Sequence, residues 1–409
     1  MSSAIPSCRS CGKAALELVL SLGKTPLANA LVTASQLIDP EETYPLDLAF
    51  CPHCSLVQIT ETVPPEKLFR EYLYLSSFSD TVLQNARDIC AKIIEGRHLD
   101  SHSLVVEIAS NDGYLLQNYH KQYIPVLGIE PAENIALVAQ EERGISTLCE
   151  FFGEELAKQL QKQGKQADVI HANNVLAHVA DLNGFAAGIA LLLKDEGIAV
   201  IEVPYVKDLI DHVEFDTIYH EHLCYFSVTA LDYLFGRHGL QIRDVERISI
   251  HGGSLRLFIG KKQEHSVAVR QLLEEEREWG VDCQEFYLKF GAKVEQLRRD
   301  LVALLRDLKA QGKQIAGYGA SAKGSTLLNY FGIGKETLDF VVDRSTVKQG
   351  RYTPGTHLPI YAPEKLLECK PDYVLLLTWN FAEEIFTQQE EFRQCGGRFI
   401  IPIPELKVV

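Results

Sequence analysis

The stretch Leu104-Val105-Val106-Glu107-Ile108-Ala109-Ser110-Asn111-Asp112-Gly113, followed by Tyr114-Leu115-Leu116, decides the fold. An apolar run with a carboxylate near its end gives way to small polar residues and then resumes with helical spacing. That is how a buried parallel strand passes to a helix across a ligand crevice. A dinucleotide fingerprint needs more glycine, since Ala109, Asn111 and Gly113 stand where a pyrophosphate requires bare backbone. The crevice suits a small ligand without a pyrophosphate.

Outward from this turn, strands are expected over 104–108, 126–130, 169–172 and 198–203, alternating with helices over 114–119, 132–143 and 182–193. Such alternation predicts an α/β fold, a doubly wound parallel sheet with its site at the carboxyl ends of the strands. Three strand ends are polar: Glu107, Glu130-Pro131, and Asn173-Asn174 running on to His178. A carboxylate ending the second strand is placed to accept both hydroxyls of a ribose.

Downstream, Tyr219-His220-Glu221-His222 sets four titratable side chains in a row beside Cys224-Tyr225-Phe226. One reading is a general base with groups that orient it, His178 being its partner from the sheet. Two others are a metal site with His220 and His222 on one strand face, and a half-buried polar strand. His251-Gly252-Gly253-Ser254-Leu255-Arg256 reads as strand, turn, strand, with His251 and Arg256 able to hold a phosphate. A helical stretch over 268–309, apolar at Val294, Leu297, Leu301, Leu304 and Leu308, leads to a second nucleotide-type sheet. There Gly317-Tyr318-Gly319-Ala320-Ser321-Ala322-Lys323-Gly324 opens a helix whose amides, with Lys323, can receive a phosphate of a second substrate. Tyr74 and Ser76 belong to a run of aromatics and hydroxyls that can wall a ligand or plug a domain junction.

At the other end, Cys8-Arg9-Ser10-Cys11 and Cys51-Pro52-His53-Cys54 are two C-x2-C knuckles. Four thiolates so paired close a tetrahedral zinc site with no open position for catalysis. Ten cysteines in 409 residues favour thiols and metal ligands over disulfides. A net charge of −15 without a basic cluster argues against nucleic acid as a partner. The amino terminus lacks a basic region followed by an apolar core, and no run of about 18 apolar residues occurs. A cytoplasmic protein with no membrane partner, favoured as a monomer, is expected.

In this order, the double C-x2-C, the E-I-x-S-N-D-G turn, Y-x-E-H, H-G-G-x-x-R and G-Y-G-A-x-A-K resemble the three-domain S-adenosylmethionine-dependent sugar C-methyltransferases of deoxysugar and antibiotic-sugar pathways. The resemblance implies a zinc-binding module over 1–70, a methyltransferase domain over 71–245 and a C-terminal Rossmann-like domain over 246–409. It implies a nucleotide-linked 4-keto sugar as substrate. By motif, Glu107, Ser110, Asn111, Asp112 and Gly113 would hold the methyl donor, with Glu130 and Pro131 at its ribose and Asn173 and Asn174 nearby. His222 resembles the family's base, with Tyr219, Glu221 and His178 lining the same site and Tyr74 and Ser76 its aromatic-hydroxyl wall. Ala109 departs from the glycine of many methyltransferases, and His220 fills the variable position of Y-x-E-H. The alternatives are an NAD(P)-dependent sugar-nucleotide oxidoreductase using the second glycine-rich turn, and a non-catalytic zinc-ribbon interaction protein.

Overall fold

The computed structural model describes residues 7–69, 75–248, 250–261 and 264–409. The N-terminal part contributes β1 (Glu17–Thr25), β2 (Tyr44–Phe50) and β3 (Val57–Ile59). The middle supplies β4 (Val105–Ile108), β5 (Val126–Ile129), β6 (Thr147–Leu148), β7 (Ala167–Asn173), β8 (Leu193–Pro204), β9 (Cys224–Tyr225), β10 (Leu240–Ile248) and β11 (Ser254–Lys261). The C-terminal part adds β12 (Ile315–Tyr318), β13 (Val341–Val342), β14 (Ile360–Tyr361), β15 (Tyr373–Leu376), β16 (Arg398–Ile401) and β17 (Lys407–Val408).

Every residue of β4 is buried, because parallel neighbours flank it and helices cover both faces. The central sheet runs β10-β11-β8-β7-β4-β5-β6. The chain leaves β4 in one direction for β5 and β6 and returns on the other side as β7 and β8, so the crevice opens beyond the ends of β4 and β7. Helix Asp80–Arg97 covers one face through Ala86, Ile89, Cys90 and Ile93, and the Ser79 side chain caps its first turn. A second sheet, β14-β13-β12-β15-β16-β17, is parallel except for β17. No helix among the described residues is long and apolar enough to cross a membrane.

Several expectations change. The hairpin β10–β11 pairs with β8, so the central sheet runs on to Lys261. Strand β9 leaves the central part to pair with β3, completing the four-stranded N-terminal sheet. The expected helix over 268–309 is two, Val267–Trp279 and Gln284–Ala310, broken where Gly280 turns left-handed at φ 80°. In the second helix Leu305 is buried and Leu304 only partly so. Strand β6 and helix Glu154–Lys162 had no expectation, being too short or too sparsely apolar to show a period.

One buried carboxylate ties three elements together. Glu276, fully buried in helix Val267–Trp279, accepts from the Tyr205 hydroxyl (2.8 Å), the Val228 amide (2.7 Å) and the Thr229 amide and hydroxyl (2.8 and 2.6 Å). Glu276→Ala strands all four donors and is expected to cost about 3–5 kcal/mol. The thermal midpoint should fall by roughly 10 °C, with Glu276→Gln between.

Candidate active site

The turn after β4 is built on alternate left-handed residues: Ala109 at φ 55°, Asn111 at 47° and Gly113 at 75°. Asparagine and glycine adopt this region readily, whereas Ala109 holds it at about 1 kcal/mol or more. Gly113 has a second constraint, since a Cβ there would lie 3.0 Å from Ile145. Gly128 on β5 has a similar one, a Cβ lying 2.5 Å from Ser110 Oγ. The tight turn sets the expected donor residues at one sheet edge. Of the expected donor residues, Glu107 Oε2, Ser110 Oγ, Asp112 Oδ1, Asn173 Oδ1 and Asn174 Oδ1 are buried without a hydrogen-bond partner among the described residues. Orphaned polar atoms gathered at a strand edge mark a place where a ligand supplies the missing partners.

Other predicted donor residues are committed within the protein. Glu130 accepts from the Asn111 and Ala132 amides, each at 2.9 Å, leaving one lone pair on each oxygen. Asn111 Oδ1 accepts from the Ser76 amide at 2.9 Å, bringing Ser76 against the turn. Tyr74 lies outside the described residues. Asp112 is committed through one oxygen, its Oδ2 2.8 Å from Arg143 on helix Glu133–Arg143, which anchors the turn.

Arg256 is no phosphate anchor in this arrangement. It is 7% exposed on β11, 2.7 Å from Glu202 on β8 and 3.1 Å from Glu246 on β10, and also bonds Asn85. The His251 side chain is not among those described. The glycine pair beside it does more than turn the hairpin: a Cβ on Gly252 would meet Glu214 Oε1 at 2.7 Å, and one on Gly253 would meet Asp208 Oδ2 at 2.2 Å.

Residues 219–222 form a turn after the 3-10 segment Phe215–Thr217, not a strand, so consecutive side chains scatter. His220 faces the N-terminal module, 3.1 Å from the Pro45 carbonyl. It therefore shares no metal with His222, and among the described residues only the four cysteines form a metal-binding group. His222 Nδ1 donates to the Thr217 carbonyl at 2.8 Å, and Nε2 receives the Tyr219 hydroxyl at 3.0 Å. This pairing assigns the tautomer, with the lone pair on Nε2. His178, on the loop after β7, donates from Nδ1 to the Glu221 carbonyl at 2.7 Å and stacks edgewise on His222 at 4.9 Å. Burial lowers its pKa and keeps it neutral. The Glu221 carboxyl is pushed up to about 7 by burial, against the opposing hydrogen bond from Asn29 at 2.6 Å.

Three groups here escape sequence reading. Asn29 lies 192 residues from its partner. The Thr217 carbonyl is backbone. The third is the clamp on Phe215–Thr217 from the C-terminal domain: Phe215 stacks on Phe331 at 4.8 Å, Trp379 Nε1 donates to Asp216 at 2.7 Å, and the Thr326 hydroxyl donates to the Ile218 carbonyl at 3.3 Å. Lys323 sits beside this clamp, 4.0 Å from Glu214 and 4.6 Å over the Trp379 ring. The C-terminal glycine-rich turn is filled by its own residues: Asp343 accepts from the Ala320 amide (2.8 Å) and Lys348 (3.3 Å), and a Cβ on Gly319 would lie 2.5 Å from Thr378.

The four cysteine sulfurs lie within 4.8 Å of one another, Cys8 to Cys54 at 3.4 Å and Cys11 to Cys51 at 3.5 Å. Tetrahedral thiolates at the usual Zn–S length stand about 3.8 Å apart, so this set fits zinc. Crowding spreads the thiol pKa values, Cys8 drawn down to about 5 by Cys54 while burial pushes Cys51 up to about 11. A cation is what lets all four ionise together.

Family models match in chain order: a zinc binding domain over residues 8–69, a methyltransferase domain over 82–245 and a C-methyltransferase C-terminal domain over 249–404. The C-methyltransferase NovU of Streptomyces niveus is 37% identical over 408 residues, covering 99% of this chain and 97% of that one. Among solved structures, a SAM-dependent methyltransferase of Anabaena variabilis is 14% identical over 43% of this chain and 84% of that one, at TM-score 0.36. Magnesium protoporphyrin IX methyltransferase of Synechocystis is 14% identical over 44% and 79%, at TM-score 0.34.

Proposed function

The chain belongs to the C-methyltransferase family, and from that premise we propose that it methylates the carbon beside the ketone of a nucleotide-linked deoxysugar, with His222 as base. The observation that carries this reading is the His222 tautomer, an imidazole whose Nε2 lone pair is aimed by the Thr217 carbonyl behind it. S-adenosylmethionine, when bound, supplies an electrophilic methyl group. Glu107, Ser110, Asn173, Asn174 and the remaining lone pairs of Glu130 are the groups to hold it.

His222 Nε2 takes the proton next to the ketone, and the Thr217 carbonyl stabilises the imidazolium that forms. The Tyr219 hydroxyl, released from Nε2, hydrogen-bonds the ketone oxygen as it gains charge. His178 and Glu221 keep the imidazole in place, and the enolate carbon would take the methyl group of the bound donor, the sulfonium sulfur leaving as the neutral thioether. Lys323 is the cation for a phosphate of the nucleotide carrier, and Ser76 walls the acceptor.

The test begins with native mass spectrometry of the purified protein for zinc and co-purified donor. Thymidine-, guanosine- and uridine-linked 4-keto sugars are then incubated with methyl-labelled donor. Label on the sugar carbon of one of them is the expected result. Thermal stabilisation by NAD(P) but not by S-adenosylmethionine or its demethylated product would overturn it.

A further inference from the structure

We infer that Asn29, a residue of the N-terminal module, is a positioning residue of the catalytic site that holds the Glu221 carboxylate across the domain boundary. The inference rests on the reading of residues 219–222 given above.

The geometry around Asn29 is that of a placed residue. Strand β1 ends at Thr25, Pro26 and Ala28 are buried, and the Ala30 amide closes a turn on the Leu27 carbonyl at 3.1 Å. Two residues further on, Val32 and Tyr352 of the C-terminal domain exchange amide hydrogen bonds at 2.9 and 2.8 Å. A Cβ on Gly355 would lie 3.1 Å from Pro26, so that crossing is close-packed. Between these anchors Asn29, itself at the solvent-exposed surface, reaches inward so that its Nδ2 donates to Glu221 Oε1 at 2.6 Å. The carboxylate is 6% exposed and, among the described residues, no cation pairs with it.

Among the described residues, the titratable side chains beside Glu221 hold these partners. His178 is bound to the Glu221 carbonyl, Tyr219 and His222 to each other, and His220 to Pro45 with its ring against Tyr44. Asn29 is thus the side-chain donor that orients this carboxylate. Being neutral, it leaves Glu221 titrating near neutrality where a lysine would hold it ionised. The arrangement also gives the module a catalytic reason to be attached: β9 fixes the segment after His222 to β3, while Asn29 fixes the residue before it.

The sign of the effect follows from the partners. The Asn29 hydrogen bond favours the charged form, so its loss raises the Glu221 pKa. In the full-length zinc-loaded protein, carbon-13 carboxyl NMR follows Glu221, assigned by its loss in Glu221→Gln. Asn29→Ala is expected to move the midpoint up by about half to one unit. Asn29→Asp, which adds a like charge, should move it further. With the methyl acceptor, kcat of Asn29→Ala at pH 7 should fall about tenfold, with KM for the donor unchanged. An unmoved midpoint, in a variant that keeps its zinc and thermal midpoint, overturns the proposal. The titration needs no substrate, so failure of every sugar nucleotide to accept methyl sinks the proposed function and leaves this measurement to decide Asn29 separately.

Discussion

Replacing His222 by alanine is expected to lower kcat by about a thousandfold while donor affinity stays within about twofold. A positioned general base contributes on the order of 10²–10⁴ in rate, and the loss here sits at the upper end because the removed ring also organises its neighbours. Tyr219 stacks on it at 4.1 Å and His178 at 4.9 Å, so both lose the surface that aligns them. The groups proposed to hold the donor stand on the turn after β4 and at the end of β7, and the variant leaves their side chains unchanged. Turnover by stopped assay and donor affinity by calorimetry separate the two quantities. Near-normal turnover would reject His222 as the base.

Loss of zinc should have the largest effect on stability. The knuckle around Cys8 is built of cysteine, glycine and polar residues from Ser7 to Lys13. It is held by the thiol cluster, by the Arg9 amide on Gln58 (2.8 Å), and by Asn183 on the Arg9 and Ser10 carbonyls (2.9 and 3.0 Å). Structural zinc contributes about 10–16 kcal/mol in isolated fingers. The effect is smaller here, because Leu46, Leu48, Phe50, Val57 and Ile59 give the module a core independent of metal. Cys51→Ala is expected to abolish stoichiometric zinc by elemental analysis and to lower the first unfolding transition by roughly 10 °C or more. It should also reduce turnover, since Asn29 enters the site from the same module. Full zinc content in that variant, or an unchanged transition, would reject the four-thiolate site.

Much of the architecture was legible because it rests on local pattern. The expected strand over 104–108 is β4, Val105–Ile108, since a strand buried on both faces must be a continuous apolar run. The two cysteine pairs converge because each C-x2-C already aims two sulfurs at one point. The site was legible only in part. Arg256 looked like an anion anchor beside two glycines, yet the antiparallel register of β11 sets it opposite Glu202. Asp112 sits on the expected donor turn, and only the fold shows that the helix after β5 brings Arg143 to one of its oxygens.

The four consecutive titratable residues draw the line most clearly. Their composition alone marked residues 219–222 as candidate chemistry with base, metal and structural readings open, while periodicity and spacing were enough to name the sheet and the zinc knuckles; the choice of His222 came from the resemblance to the sugar C-methyltransferases. Which way each side chain points was set by distant partners: Pro45 for His220, Asn29 for Glu221, and for His222 a Thr217 carbonyl held by Phe331, Trp379 and Thr326 around it. A strand or helix repeats its geometry and writes it into sequence as a period. A turn has none, so its side chains go where contacts from the far ends of the chain direct them.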